Sequence, residues 1–220
     1  MKKLTFLALF FIFVGFSSKA LAQSPVRLGL KFNPILSYAR ITDEDKKSID
    51  GIEQSSKLGF SGGLMLDFNF SERAAFHTGL LIVSKGYETS FEGIDVTTKS
   101  KITAVEFPLA LKMRSGDIAD GLRIRGLFGG QLGLNVSSKT ITDIGGFTEE
   151  DRKTSNYYQP LSVDFLVGAG VEYDIDNVGT LDFGLSYHNG LTRFNKKDED
   201  AQFQARALLH YFSLDIGFFF

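Results

Sequence analysis

Apolar and polar side chains alternate in eight stretches of the chain, at 27–38, 57–70, 74–87, 101–114, 122–136, 160–174, 180–194 and 206–220. In the second, Leu58, Phe60, Leu64, Leu66, Phe68 and Phe70 share one parity; Lys57, Gly59, Ser61, Gly63, Asp67 and Asn69 share the other. The sixth sets Leu161, Val163, Phe165, Val167, Ala169, Val171 and Tyr173 against Ser162, Asp164, Gly168, Gly170, Glu172 and Asp174. Successive side chains of a strand point to opposite faces, so each stretch predicts a strand with one apolar face and one polar or small face. All exceed the five or six residues usual in soluble strands. They suit a tilted strand crossing the hydrocarbon of a bilayer, which takes about 9–11 residues.

Alternation alone does not say which face meets water. A soluble barrel with an apolar ligand cavity would bury Leu64, Leu66 and Val167 and expose Asp67 and Glu172. Three features favour the opposite. The links at 71–73, 115–121 and 175–179 are short, whereas those at 39–56, 88–100, 137–158 and 195–205 are long and charged, the asymmetry of periplasmic turns and surface loops. Phe212, Leu214, Ile216, Phe218 and Phe220 alternate up to the C-terminus, where a soluble protein would carry an aggregation hazard. Tyr38, Tyr87, Tyr157, Tyr158, Tyr187 and Tyr211 fall near the long-loop end, as one aromatic interface belt would, while Phe68, Phe70, Phe76, Phe218 and Phe220 gather at the other. The expected fold is all-β, a closed antiparallel up-and-down transmembrane barrel of about eight strands.

The N-terminus adds an address. Lys2 and Lys3 precede an apolar run at 4–16, then Ser17, Ser18, Lys19 and Ala20-Leu21-Ala22, the layout of a secretory signal. The run is too short for a spanning helix, which needs about 20 residues. Residues 1–22 are thus read as a cleaved signal peptide and 23–220 as one outer-membrane barrel domain. Loss of Lys2, Lys3 and Lys19 takes the formal charge from −2 to −5, which argues against a basic nucleic-acid footprint. With no cysteine, disulfides, thiolate metal sites and a cysteine-linked lipid anchor are excluded.

The segments GLKFNPILSY (29–38), GFSGGLMLDFNF with SERAAFHTGLLIVSKGYE (59–88), VEFPLALK (105–112) and DFLVGAGVEYD (164–174) resemble the outer-membrane β-barrel family of Bacteroidetes often labelled PorT-like. The resemblance spans the mature chain through loose strand patterns. It implies an eight-stranded barrel, and does not imply the secretion role of the PorT protein itself.

The polar parity carries Arg27, Lys31, Asp67, His77, Glu106, Lys112, Arg123, Arg125, Asp164, Glu172 and Asp182. An eight-stranded barrel is just wide enough to be filled by side chains. Asp67, Glu106, Lys112, Arg123, Arg125, Asp164, Glu172 and Asp182 therefore form the candidate interior polar network, with a narrow conduit or small-ligand cavity as the sharper alternative. Glu106 is expected to pair with Arg123 or Arg125, and Pro108, which cannot donate to the ladder, to mark a bulge or a local irregularity. His77, His188 and His210 sit on different strands and predict no metal centre; no cofactor is expected. Asp182, Ser186 and His188 invite a Ser-His-acid reading, but the His-x-Ser pattern of barrel lipases is absent, since position 190 is Gly. GLFGGQLG (126–133) lies mid-strand and precedes no helix, so its glycines are expected to relieve crowding rather than hold phosphate. The charge runs at 43–47 and 195–200 read as solvated loop tips, with binding of partners or of divalent ions bridging lipopolysaccharide as the sharper alternative.

The function expected is non-enzymatic: structure, adhesion or partner binding through surface loops. Accessory membership of a secretion or transport machine, a membrane-embedded lipid-modifying enzyme and a soluble periplasmic ligand-binding barrel stand as alternatives. Expected partners are outer-membrane lipid, lipopolysaccharide, envelope proteins met through the loops, and the barrel assembly machinery, which would read Phe212, Leu214, Ile216, Phe218 and Phe220 as an assembly signal; no nucleic acid is expected.

Overall fold

The computed structural model describes residues 26–42, 52–91, 94–144, 147–151, 158–195 and 206–220. The predicted signal peptide, the charge run at 43–47, most of that at 195–200, and Tyr157 lie outside them. The alternating stretches form β1 (Val26–Thr42), β2 (Ile52–Asn69), β3 (Ala74–Phe91), β4 (Ile94–Ala119), β5 (Leu122–Ile144), β7 (Leu161–Ile175), β8 (Gly179–Gly190) and β9 (Arg206–Phe219), with a short β6 (Phe147–Asp151) added. Each strand of the ring pairs antiparallel with its sequence neighbour, β5 passing to β7, and β9 returns to β1. Closure runs from Gly29 opposite Phe219 to Thr42 opposite Arg206. This is an up-and-down barrel of eight strands; β6 only extends one side, pairing with residues 140–144 of β5.

The faces are decided by burial. Leu64 and Val167 are 43% and 40% exposed, while Asp67 and Glu172 are 0% exposed. The apolar parity therefore points outward, and the soluble barrel with an inward apolar face is not the arrangement found. Outward too are Leu58, Phe60, Phe128, Leu185 and Phe212, a girdle that lipid covers without cost and water does not.

Several strands outrun the stretches that predict them. β3 and β4 continue to a rung at Phe91 and Ile94, and β4 pairs with β5 as far as Val96 and Ile144. Thr97 and Thr98 favour extended backbone but, lacking an apolar face, give no periodic signal. At the other end the predicted 115–121 link is mostly strand, closed by Asp120 and Gly121. Gly121 has φ 67°, a left-handed conformation that costs glycine nothing; Asn177, at φ 58°, plays that part in the turn before β8. β8 ends at Gly190, not 194. The chain then folds inward, and Phe194 packs over the lumen with Ala39, Ile102 and Leu209.

Pro108 marks a local irregularity rather than a bulge. No register shift occurs at Pro108; the β3–β4 ladder lapses between the Thr78–Leu109 and Leu81–Glu106 rungs and resumes in the same register. The β1–β9 ladder likewise lapses beside Pro34, between the Lys31–Gly217 and Ile35–Ser213 rungs. There the Asn33 side chain stands in: its Oδ1 accepts from the Ile216 N–H at 3.1 Å and its Nδ2 donates to Asp215 at 3.1 Å. The Ile216 N–H thus finds a side-chain acceptor where the ladder lapses, and the β1–β9 register is kept.

Candidate functional site

The lumen holds two tiers of polar side chains. At the short-turn level, Lys112 on β4 places Nζ 3.0 Å from Asp67, 2.5 Å from Glu172 and 3.0 Å from Asp182. Arg114, one rung on, reaches Asp67 at 2.5 Å and Glu172 at 2.8 Å, and Arg27 reaches Glu172 at 3.1 Å. His77 Nδ1 lies 2.6 Å from Asp67. Arg125 donates to Asp182 at 2.6 Å and to Asp215 at 3.1 Å; Ser186 also donates to Asp215, with Lys31 3.6 Å away. Lys112 and Arg27 each sit 4.3 Å from the Phe219 ring centroid, so the cations are held by π-electrons as well as carboxylates.

Strand register makes this arrangement necessary. Glu172 stands directly opposite Asp182 on β7–β8, and Arg114 opposite Arg125 on β4–β5. Like charges on one rung repel. Each finds its counterion across the lumen instead, so the ion pairs tie strands that share no ladder. Glycine makes room: a Cβ on Gly184 would lie 2.7 Å from Arg125 Nη2.

The long-loop level is sparser. Glu106 accepts from Lys85 at 2.6 Å, from the Tyr211 hydroxyl at 2.7 Å and from Gln131 Nε2. Asp164 Oδ2 lies 3.8 Å from Lys85. The His188 ring stacks on Tyr211 at 4.0 Å. Above these, Phe194, Ile102, Leu209 and Ala39 close the lumen, with Tyr158 4.3 Å from Phe194, centroid to centroid.

Of the residues the sequence names, Asp67, Lys112, Arg125, Glu172 and Asp182 meet in the lower tier, and Glu106 and Asp164 lie in the upper. Arg123 joins neither; it sits at the turn-end rim on Asp174, with Asp117 3.8 Å away. The expected pairing of Glu106 with Arg123 or Arg125 is corrected. Glu106 stands opposite Gly133, eight residues along β5 from Arg125, which at ~3.3 Å per residue is about 26 Å. Arg114, Lys85 and Asp215 were missed, although each shares the inward parity of a named neighbour or, for Asp215, opposes Leu214 and Ile216. Gln131 and Tyr211 carry no charge and gave no signal.

The aromatic belt is also corrected in part. Tyr38 and Tyr187 face outward with hydroxyls 3.2 Å apart, Phe212 4.8 Å from the Tyr187 ring and His210 stacked 5.3 Å from Tyr38. Tyr87, Tyr158 and Tyr211 turn to the lumen instead. Within GLFGGQLG, Gly129 relieves crowding, since its Cβ would lie 2.5 Å from Ala110 Cα, but Gly126 faces open space.

The best-formed cavities among the described residues measure about 10 Å³ each, room for about one water. Ser186 gives its proton to Asp215 rather than to His188, and both are buried in the wall. No group of three or more acidic or histidine side chains among the described residues could hold a metal ion. Phe212, Leu214, Ile216 and Phe220 project to the lipid side, and the Phe220 N–H closes onto the Leu28 carbonyl at 2.9 Å.

A family model described as "outer membrane protein beta-barrel domain" matches residues 14–195. No curated protein matches the chain. Among solved structures, the chain is similar to Neisserial surface protein A, at 14% identity over 89% of this chain and 96% of that one (TM-score 0.44). It is also similar to outer membrane protein OprG from Pseudomonas aeruginosa, at 10% identity over 88% and 96% (TM-score 0.48). A third is Ail, the attachment invasion locus protein of Yersinia pestis, at 15% identity over 88% and 99% (TM-score 0.37).

Proposed function

The chain belongs to the outer membrane protein β-barrel domain family, and from that premise we propose a non-enzymatic barrel of the Gram-negative envelope that acts through its long surface connections. The filled lumen carries this reading: charged side chains occupy one level, and the Phe194 cluster closes the other. A wall filled in this way passes neither ions nor nutrients, and its buried Ser186 and His188 offer no surface to a lipid ester. What remains open to partners is the long-loop end, where β2 to β6 continue past the barrel rungs. Adhesion, envelope integrity and partner binding are the roles that such a rigid stand serves.

The finer assignment, to PorT-like barrels of Bacteroidetes, rests on the resemblance of GLKFNPILSY, VEFPLALK and DFLVGAGVEYD. Export belongs to the same reading: cleavage after Ala22, delivery to the barrel assembly machinery through Phe212, Leu214, Ile216, Phe218 and Phe220, and residence in lipid and lipopolysaccharide. N-terminal sequencing of the mature protein should begin at Gln23, and deletion of Phe220 should lower the heat-modifiable fraction.

The deciding test is reconstitution in planar bilayers, with replacement of the 43–51 and 196–205 connections by short Gly-Ser turns in cells. A silent bilayer, an assembled barrel and loss of a surface phenotype are the expected results. Discrete conductance steps, or phospholipid hydrolysis abolished by His188→Ala, would overturn the reading.

A further inference from the structure

Outside the barrel, the long-loop end is uneven around the ring. On the β1, β8 and β9 side its outward cluster is aromatic, built from Tyr38, Tyr187, His210 and Phe212. Across β3, β4 and β5 the outward rungs change character in order. Ile82, Val105 and Leu134 form an apolar rung, with Ile82 57% exposed. The next outward rung is Ser84, Thr103 and Ser137. The one after sets Lys101 between Gly86 and Lys139, and the next pairs Glu88 with Lys99. On β2 a register shift between Ser56 and Phe60 brings Lys57 to this height, within electrostatic reach of Lys99 and Lys101.

Lys101 and Lys139 stand directly opposite each other, an arrangement that repels. Inside the lumen such pairs find counterions across the barrel, but an outward side chain has no opposite wall to reach. Gly86 offers Lys101 no side chain, Glu88 pairs with Lys99 at 3.8 Å, and Lys101 makes no ion pair among the described residues. An anion from outside is the partner this face fits. At the short-turn rim, by contrast, Arg123 is held by Asp174 and Asp117, so the excess of cation lies at the long-loop end. Depth says where the anion sits. Lys101 is four residues beyond Val105, about 13 Å along the strand and, at a tilt of about 40°, about 10 Å along the membrane normal. The headgroup layer is about 5–7 Å deep, and a lysine stem lies back along apolar surface to set its ammonium in it. Hydrocarbon, hydroxyl and ammonium rungs thus follow the order of a lipid's chain, linkage and phosphate.

We propose that Lys57, Lys99, Lys101 and Lys139 form a binding site for the phosphate of an outer-leaflet glycolipid, the headgroup chemistry of lipopolysaccharide. Its chains lie on Ile82, Val105 and Leu134, and its linkage meets Thr103 and Ser137. The site rests on the outer-membrane reading above and assigns the lipid to β2 to β5, away from the aromatic side.

Lipid A, the phosphorylated glycolipid part of lipopolysaccharide, is the probe. The full-length protein, folded in zwitterionic detergent, is titrated with lipid A and with its dephosphorylated form, and native mass spectrometry counts the lipid retained. The phosphorylated form should be retained more strongly. Lys101→Gln should weaken its binding about fivefold, and Lys99→Gln together with Lys101→Gln about 25-fold. Glu88→Gln, which removes the acid beside them, should strengthen it. Arg40→Gln, three strands round the ring, should leave it unchanged. Equal retention of the two lipids would overturn the proposal, and a preference unchanged in the double lysine variant would overturn it by placing the phosphate elsewhere. A loss in Arg40→Gln equal to that in Lys101→Gln would show diffuse charge without a site. Displacement of lipid A by inorganic phosphate at equal concentration would overturn the lipid as the source of the anion. A heat-modifiable barrel indifferent to the phosphates leaves the outer-membrane reading standing, whereas a protein that forms no heat-modifiable barrel sinks both.

Discussion

The two levels of the lumen solve one problem in different ways. Both must fill a barrel too narrow to be empty, lined by strands whose inner parity has to be small or polar. At the short-turn level, charges do it: Lys112 alone touches carboxylates from β2, β7 and β8, and Arg125 extends the lattice to Asp215 on β9. At the long-loop level, one lysine, a tyrosine and a glutamine converge on Glu106 beneath a hydrocarbon lid. The lower tier is a cross-link whose members depend on each other, because removal of Lys112 leaves Asp67 and Glu172 sharing Arg114 and leaves Asp182 sharing Arg125 with Asp215. In the upper tier, Glu106 keeps neutral donors when its cation goes. The lattice gives rigidity and the lid gives closure.

Substitution of Lys112 by Met tests the lattice and carries the largest expected effect. Breaking a buried ion pair costs about 3–5 kcal/mol, and here three carboxylates lose one cation together. Urea titration in lipid vesicles should show a fall at or above that range, with much of the protein unassembled in cells. A loss below ~1 kcal/mol would mean that water reaches the lower tier and the lattice is solvated. Next comes Phe194→Ala, which uncaps the upper tier. A buried Phe→Ala change costs about 3–5 kcal/mol, and at the mouth of the barrel, where neighbours can collapse, the lower end is expected. Amide exchange should quicken around Glu106 and Asp164 but stay slow around Lys112. Equal acceleration in both tiers would show that they share one opening event.

Lys85→Met is the direct comparison with Lys112→Met. Glu106 retains the Tyr211 hydroxyl at 2.7 Å and the Gln131 amide while Asp164 loses the ammonium 3.8 Å away, so the expected cost is about 3 kcal/mol, the lower end for a broken buried ion pair. Adding Glu106→Leu should recover part of it, since replacing a whole buried pair is often neutral. If Lys85→Met matches Lys112→Met in cost, the contrast between the tiers fails.

The strands and their facing were legible because one physical rule, lipid outside, applies to every residue of one parity. Leu58, Phe60 and Leu64 announce it without knowledge of any partner. The ends were not legible: Thr97 and Thr98 extend β4 by backbone pairing alone, and Phe194, apolar but on the polar parity of β8, lies past the strand end and covers the mouth of the lumen. Nor were the partners inside. Parity sets Lys112 and Glu106 on the polar side, but which groups meet depends on shear between strands and on reach across the lumen. Arg125, nominated for Glu106, instead serves Asp182 and Asp215. Neutral members such as Gln131 and Tyr211 carry no charge signal, and the eye passes over them.

The smallest effect belongs outside the lumen. Tyr38→Phe removes one of two hydroxyls that lie 3.2 Å apart on the lipid-facing side, while the rings of Tyr187, His210 and Phe212 keep their stacking. One neutral hydrogen bond is worth about 0.5–1.5 kcal/mol, and the lower half of that range is expected because interfacial water can replace it. The informative measurement is the double variant with Lys85→Met. Sites that share no partner add to within about 0.3–0.5 kcal/mol, and Tyr38 points outward from β1 whereas Lys85 points inward from β3. Additivity would establish that the outer aromatic cluster is energetically independent of the interior. A coupling of 1 kcal/mol or more would instead run through β9, where Tyr211, bonded to Glu106, lies between His210 and Phe212 in the chain.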